Sequence, residues 1–502
     1  MFEQNQMVDV NQLVALNEQL RKNADAIKKA AVGYQSNSVA SGVDNSLSPI
    51  VPQSIEQTLA NASFAMKDIV MWNMIPKIQV TNTYHEYAVI NEHGLDTDPY
   101  IAEGGGASDA FGTTQSQYER KFVKIKYLAE RRSISDVGTL VGILGSNPNG
   151  LAEETERGTM SLLRKVENQI FHGSELLNSN GFDGVLEQIS RDTSSAYSQA
   201  NGGRSFSANQ SDLAGSVASP GKLHEVLGEL SSINRFGKPD FIMCDPKVYS
   251  KLIKESTDDG RHDSMLLVNM LDQGVQTFGA GPKIHVMGPF GPVPVIMAPF
   301  LNKQSLCPTA ASSSATTVSW QAGDFTIASV AIAGAEVSHF DAAATGVGHD
   351  GNFSYKLVAV TPKGYTEPFT LGAVAANNGA VPRITCASSA RIPADALYWR
   401  LYRSAAGSLT DYKLVEEFPI GELNAAADTF KDFGNTRRDC SSVIIGQTDS
   451  MEFARLLDFL RRPVAELGAS KNFLLMLFGA ALVKLPRKNY VLRNANGRII
   501  LS

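Results

Sequence analysis

The chain has 502 residues, 43% of them hydrophobic, and a formal net charge of −6 from 45 basic and 51 acidic side chains. That length and apolar content suffice for about three globular domains, each able to bury a core. The charge balance leaves no basic footprint for tight phosphate binding, which disfavours a DNA reader but permits a container that only encloses DNA.

The first residues, Met1-Phe-Glu-Gln-Asn-Gln6, have neither a basic nor an apolar region, so no secretory signal is predicted. The most apolar run, Phe473 to Val483, is near half the length of about 20 residues that crosses a bilayer. Residence in a cytoplasm is the expectation. Cys244, Cys307, Cys386 and Cys440 lack the spacing of a zinc site or redox pair and read as free thiols. A Cys386 to Cys440 pair stays open should their neighbourhoods meet.

In chain order, Leu13, Leu16, Leu20 and Ile27 fall at helical spacing and predict a short amphipathic helix over 10–30. A polar, Ser-rich stretch from Gly33 to Pro52 reads as a flexible arm, and Ile55 and Leu59 restart a helix. Strands are expected at Ile75–Val80 and Tyr84–Ile90. Lys121–Tyr127 alternates as one strand, with Val123, Ile125 and Tyr127 on a packed face and Lys124 and Lys126 on a wet one. Between these strands runs a polar connection with the tip Glu103-Gly-Gly-Gly-Ala-Ser-Asp109. From Thr83 to Gly173 the chain therefore builds a long β-arm that continues into a helix. Such an arm has no core of its own and is marginal alone in water. At about 3.3 Å per residue and up to about 20 residues a side, it reaches some 60 Å, far enough to land on another copy of the chain.

The helix Leu151–His172 places Glu153, Glu154 and Glu156 at its positive end, carries Met160, Leu163, Val166 and Ile170 as its stripe, and stops at Gly173. Leu186 to Ala218 reads as a surface excursion. An α/β pattern follows: helix Lys222–Ile233, strand Phe241–Cys244, helix Lys247–Lys254, and strands Lys283–Val286 and Val293–Met297. Residues 305–440 turn Ala-, Ser-, Thr- and Gly-rich, with strands at Tyr355–Val360, Leu397–Arg403 and Tyr412–Val415 in the manner of a β-sandwich. A denser apolar style resumes at Met451–Leu460 and in a strand run from Phe473 to Leu485.

No constellation reads as a catalytic, cofactor or metal site. Gly104-Gly105-Gly106 lacks the Lys-Ser/Thr of a phosphate loop, and Gly279-Ala-Gly281 has Ile284 where a dinucleotide fingerprint needs glycine. The eight histidines show no metal spacing, and Asp258–Asp263 matches a calcium loop only in composition. No nucleophile, base and orienting group come together, so no enzyme is predicted.

Taken in order, Ser48–Ile55, the glycine-tipped hairpin, Leu151–His172, Phe171-His-Gly-Ser174 with Gly181–Leu186, Asp240–Pro246 and Gly291–Met297 resemble the major capsid protein of tailed double-stranded DNA bacteriophages, whose fold is shared with encapsulin shells. No single motif carries this; the order of five or six does, over roughly 45–300 and 441–502. The resemblance implies an α+β fold. Its parts are an N-terminal helix and arm (1–45), a peripheral domain (46–82 and 131–190) with a spine helix, an extended E-loop hairpin (83–130), an axial domain (191–304) and a return to the core (441–502). Residues 305–440 depart from the minimal pattern and resemble an inserted fibronectin-III or immunoglobulin-like module, through Tyr355–Thr361, Gly364–Pro368, Tyr398–Arg403 and Phe430–Gly434. Family analogy puts it on the outer shell surface.

The function so implied is a virion subunit, made and assembled in a host bacterial cytoplasm, that self-assembles into hexamers and pentamers of an icosahedral head. The head encloses double-stranded DNA without sequence-specific binding, without membrane or cofactor, and scaffold, cement or portal proteins are its possible partners. Interface residues are expected at the arm's root, Tyr84, Tyr87, Lys124 and Lys126, and at its tip, Gly104, Gly105, Gly106 and Phe111. Ile50 and Pro52 are expected in a second strap, Val43–Ile55. One family variant crosslinks a loop lysine to a neighbour's asparagine. No lysine lies between Glu92 and Glu119, so a non-covalent clasp is expected. The alternatives are an encapsulin-like compartment and, from another class, a carbohydrate-active enzyme with a fibronectin-like module, which calls for a signal peptide and a carboxylate pair in an aromatic cleft.

Overall fold

The computed structural model describes residue 22 and residues 64–93, 116–140, 150–190, 209–258 (without 234), 265–266 and 285–498 (without 316, 334–335, 342–348 and 466–467). The expected helix over 10–30 (Lys22 apart), the helix after Pro52, the strap with Ile50 and Pro52, and the arm tip with Gly104, Gly105, Gly106 and Phe111 lie outside the described residues.

A helical turn, Met71–Met74, leads into β1 (Lys77–Gln79), then β2 (Tyr84–Glu92), β3 (Gln117–Lys124) and β4 (Lys126–Ser135). The long helix Gly150–His172 follows, with Glu153 in its first turn as the helix dipole favours. Leu162, Leu163, Val166, Ile170 and Phe171 form its buried stripe, and Glu167 is buried among them. Gly173 does end the helix, but not through a left-handed φ. A Cβ there would stand 2.3 Å from the Phe182 carbonyl oxygen and 2.5 Å from that of Gln169, so close backbone approach demands glycine.

The segment expected as a surface excursion instead begins with a helix, Val185–Ser190, whose Val185 and Ile189 are buried, and ends in β5 (Gln210–Asp212). The stretch between them, residues 191–208, lies outside the described residues. Next come helix Pro220–Leu230, capped by the Ser219 hydroxyl, β6 (Phe241–Cys244) and helix Pro246–Asp258. They are followed by β7 (Met265–Leu266), β8 (His285–Gly288) and β9 (Gly291–Met297).

Eight strands follow: β10 (Phe325–Ala331), β11 (Gly351–Thr361), β12 (Gly364–Tyr365), β13 (Phe369–Ala376), β14 (Ala380–Cys386), β15 (Tyr398–Arg403), β16 (Lys413–Pro419) and β17 (Thr429–Lys431). The chain closes with β18 (Cys440–Gly446), β19 (Met451–Val464), β20 (Ser470–Val483) and β21 (Tyr490–Asn496).

These strands form a mixed α+β architecture. One four-stranded sheet has the order β1-β19-β20-β4, and a seven-stranded sheet the order β5-β21-β18-β6-β9-β8-β7. Strands β6, β9 and β18 are neighbours although β10–β17 lie between β9 and β18 in sequence. The β10–β17 stretch folds on itself as antiparallel sheets of three and five strands around one core of Phe325, Tyr355, Trp399, Phe418 and Phe430. All four cysteines are free, so the pair left open between Cys386 and Cys440 is not formed.

The largest core lies between the four-stranded sheet and the long helix, with Trp72, Val166, Ile170, Phe453, Phe473, Leu475 and Leu477 at its centre. The helix comes close to the sheet at Gly158, where a Cβ would meet the Leu475 Cδ1 at 2.5 Å. Strands β2 and β3 stand apart as a two-stranded sheet.

Candidate subunit interface

The hairpin β2–β3 has two faces set by its register. Tyr84 pairs with Lys124, Glu86 with Phe122, Ala88 with Arg120 and Ile90 with Tyr118, and directly opposed residues share a face. On that face Tyr84 is 51% exposed, Ile90 46%, Tyr118 71% and Phe122 69%. The Tyr84 and Phe122 rings lie 6.2 Å apart, and an exposed Arg120–Glu86 pair at 3.4 Å crosses the ladder. The opposite face carries His85, Tyr87 and Val89 against Val123, Lys121 and Glu119. Val89 is buried there and Val123 packs on the main core. Burial, and secondarily the charge of Glu119, raises the pKa of the Tyr87 phenol.

Of the residues expected at an interface, Tyr84 and Lys124 are exposed on the open face, while Tyr87 is half-buried on the other. Lys126 is a correction. Its Nζ donates to Glu175 Oε1 at 2.6 Å and to the Ser179 carbonyl at 2.7 Å, and the side chain is buried. The alternation expected through Tyr127 breaks at Ile125, which is fully buried and donates its N–H to the Thr83 carbonyl at 2.8 Å. There the chain leaves the hairpin and joins the four-stranded sheet, so Ile125 and Lys126 both face inward and Tyr127 turns out, 57% exposed.

Tyr118, Phe122 and Ile90 were not singled out in the sequence. The signal lies in Gln117–Lys124, where period two puts Tyr118, Arg120 and Phe122 on one face and Glu119, Lys121 and Val123 on the other.

A second apolar face belongs to the four-stranded sheet. Tyr127 lies opposite Phe478, Ala129 opposite Met476 and Arg131 opposite Leu474, while Leu460 and Arg462 complete the rows from β19. The other face of the sheet, with Phe473, Leu475 and Leu477, is buried in the main core. On the outer face the Tyr127 and Phe478 rings meet edge-on at 4.8 Å, and Leu460 is 45% exposed. Two register irregularities, Pro463, Arg461 and Arg462 interrupt the free half of β19 beyond Arg455, devices that oppose indiscriminate strand pairing.

The helical turn ahead of β1 is anchored by Glu167, a residue that helical periodicity reads as core-adjacent and that carries no sequence motif. Its Oε1 accepts from the Val70 and Met71 N–H groups at 3.0 and 2.7 Å, and its Oε2 from the Trp72 N–H at 2.8 Å. Burial raises the carboxyl's pKa, and the three backbone bonds oppose that rise. The anchored turn sets Trp72 against Phe453 at 4.8 Å and leads into β1, which pairs in parallel with β19.

Among the described residues no group of three His, Cys, Asp or Glu side chains could hold a metal ion, and no helix is long and apolar enough to cross a membrane.

No protein-family model matches the chain, and no curated protein matches it. Among solved structures, the capsid of a native GTA particle aligns over 92% of this chain and 99% of its own, at 10% identity and a TM-score of 0.44. The holo-SrpI encapsulin of Synechococcus elongatus aligns over 92% and 98%, at 9% identity and a TM-score of 0.42. A chain of Gordonia phage Cozz aligns over 91% and 97%, at 11% identity and a TM-score of 0.41.

Proposed function

We propose that the chain is the structural subunit of an icosahedral shell of the tailed-phage major-capsid type, assembling as hexamers and pentamers around double-stranded DNA. The observation that carries this reading is the β2–β3 hairpin, a two-stranded element that turns Tyr84, Ile90, Tyr118 and Phe122 to solvent. Such a ribbon gains stability when a further surface covers it. The four side chains offer about 400–500 Å² of apolar surface at 150–250 Å² per aromatic, the size of the largest patch on an ordinary monomer, which is often functional. The outer face of the four-stranded sheet, with Tyr127, Leu460 and Phe478, is the apolar surface on a second copy that best fits it. A hairpin on one subunit and a receiving sheet on the next make a head-to-tail contact, the kind that builds rings when its rotation closes.

In this reading residues 83–130 are the E-loop, residues 1–45 meet neighbours or a scaffold, and residues 305–440 are a fibronectin-III or immunoglobulin-like module on the outer surface. The arm clasps without a covalent bond. The virion is its location, after synthesis in the host cytoplasm. Electron microscopy of the purified chain tests the proposal: shells or capsomer rings support it, and a persistent monomer at all concentrations overturns it.

A further inference from the structure

The chain crosses twice between the seven-stranded sheet and the β10–β17 region, at 302–307 and at 432–440, and one side chain ties the crossings together. Gln304 Nε2 donates to the Arg437 carbonyl at 2.5 Å and to the Cys440 carbonyl at 3.0 Å, while its Oε1 accepts from the Asp439 N–H at 2.7 Å. One side-chain amide on the outgoing crossing thus bonds three main-chain groups of the returning one.

A second tie comes from β21. Asn494 Oδ1 accepts from the Arg437 N–H at 3.0 Å, and its Nδ2 donates to the Asn435 carbonyl at 2.9 Å. Ion pairs Lys413–Asp439 and Lys303–Glu417 join β16 to the two crossings. Asp439 and Asn494 hold left-handed backbones, φ 60° and 53°, a conformation that costs most residues about 1–2 kcal/mol and suits Asp and Asn best.

The joint is nevertheless not filled. A cleft of about 150 Å³ opens beside the clasp, bounded by Lys303, Gln304, Glu416, Asn435, Ser441 and Asn494. Asn435 Nδ2 and Ser441 Oγ, on buried residues, have no hydrogen-bond partner there. Such a joint has room to move and polar groups to gain by moving.

We infer that Gln304 is a positioning clasp that fixes the angle of the β10–β17 region against the seven-stranded sheet, and that its release frees this region to turn as a folded body. The β10–β17 region has its own core, with the Phe418 and Phe430 rings stacked at 3.8 Å, so its fold does not depend on the clasp. The clasp makes the region a fixed projection of each subunit rather than a tethered one.

The test uses the full chain, with genetically encoded spin labels at Gly228 and Ser329, both exposed, the first on helix Pro220–Leu230 and the second on β10. The parent protein is expected to give one narrow distance distribution. Q304A is expected to broaden it or add a second distance while the emission of Trp320 and Trp399, both in the β10–β17 region, stays unchanged. An unaltered narrow distribution in Q304A overturns the inference. Hydrogen exchange in the parent protein gives a second reading should Q304A not fold. The Asp439 amide is expected to exchange about tenfold slower than an open loop amide, and exchange at the open-loop rate overturns the clasp.

Discussion

Replacing Phe122 by alanine separates subunit folding from assembly. Phe122 is 69% exposed in the single chain, so its removal leaves the subunit's own stability within about 0.5 kcal/mol. If a second copy covers the hairpin face, assembly buries that exposed part. Full burial of a phenylalanine side chain is worth about 1.5–3 kcal/mol, so the exposed share is worth about 1–2 kcal/mol per contact. At 1.4 kcal/mol per factor of ten, each contact weakens by about 5- to 30-fold. Every subunit makes the contact once, so the threshold concentration for shells or rings should rise by a similar factor. Light scattering against concentration, with negative-stain images at each point, reads the threshold, and thermal melting of the dilute subunit reads folding. An F122A protein that assembles at the parent's threshold while melting at the parent's temperature refutes the role given to this face.

Leu460→Asp on the receiving sheet should also raise the assembly threshold with little effect on the dilute subunit; a threshold equal to the parent's removes that sheet face from the interface. Gly173→Ala forces a methyl against the Phe182 and Gln169 carbonyls and should cost about 2 kcal/mol or more in denaturant unfolding, and a loss under 0.5 kcal/mol would show that the close approach relaxes freely. Burial pushes the Glu417 carboxyl up, but Lys303 and Arg400 more than offset this and hold it at about 2 against the usual 4.5. Its depressed value means that the stability it contributes, about 3 kcal/mol at most, is present above pH 4.5 and lost as pH falls toward 2. Denaturant unfolding at stepped pH should show E417Q weaker than the parent at neutral pH and converging with it near pH 2; a constant gap counts against the pairing. Glu167 has the opposite sign, because its raised value makes its contribution largest below the ordinary carboxylate range and smaller as pH rises through the folded value. E167A leaves the buried N–H groups of Met71 and Trp72 without their acceptor and should cost about 2–4 kcal/mol, checked by denaturant unfolding and by faster amide exchange at Val70–Trp72.

Much of this architecture was legible because apolar periodicity and local chemistry agree. The long helix shows its stripe at Leu163, Val166 and Ile170, and Tyr355–Val360 and Leu397–Arg403 alternate or run apolar as strands of an enclosed sheet should. The misreadings have a common cause. Lys126 and Ile125 sit at a change of sheet, where the chain breaks its period to pass from one ladder to another, and period two assumes a single ladder. Glu167 looks like a polar residue beside a stripe, because its partners are backbone N–H groups 95 to 97 residues away that leave no mark in composition. Gln304 is equally silent, since a side-chain amide bonding three main-chain groups has no motif.

The same reasoning gives Tyr118 and Phe122 a place beside Tyr84 on the open face of the arm. A subunit that folds alone hides its large apolar side chains, and an isolated two-stranded ribbon has nowhere to hide them on its second face. Alternation of Tyr118, Arg120 and Phe122 with Glu119, Lys121 and Val123 sets one face against the body, through Val89 and Val123, and leaves the other uncovered. Polar substitutions on that face would make the single chain more soluble at no cost to its core. On the proposed reading, Tyr118 opposite Ile90 and Phe122 beside Tyr84 call for a second surface, and the outward row of Tyr127, Phe478 and Leu460 on a second copy would supply one of the same chemistry.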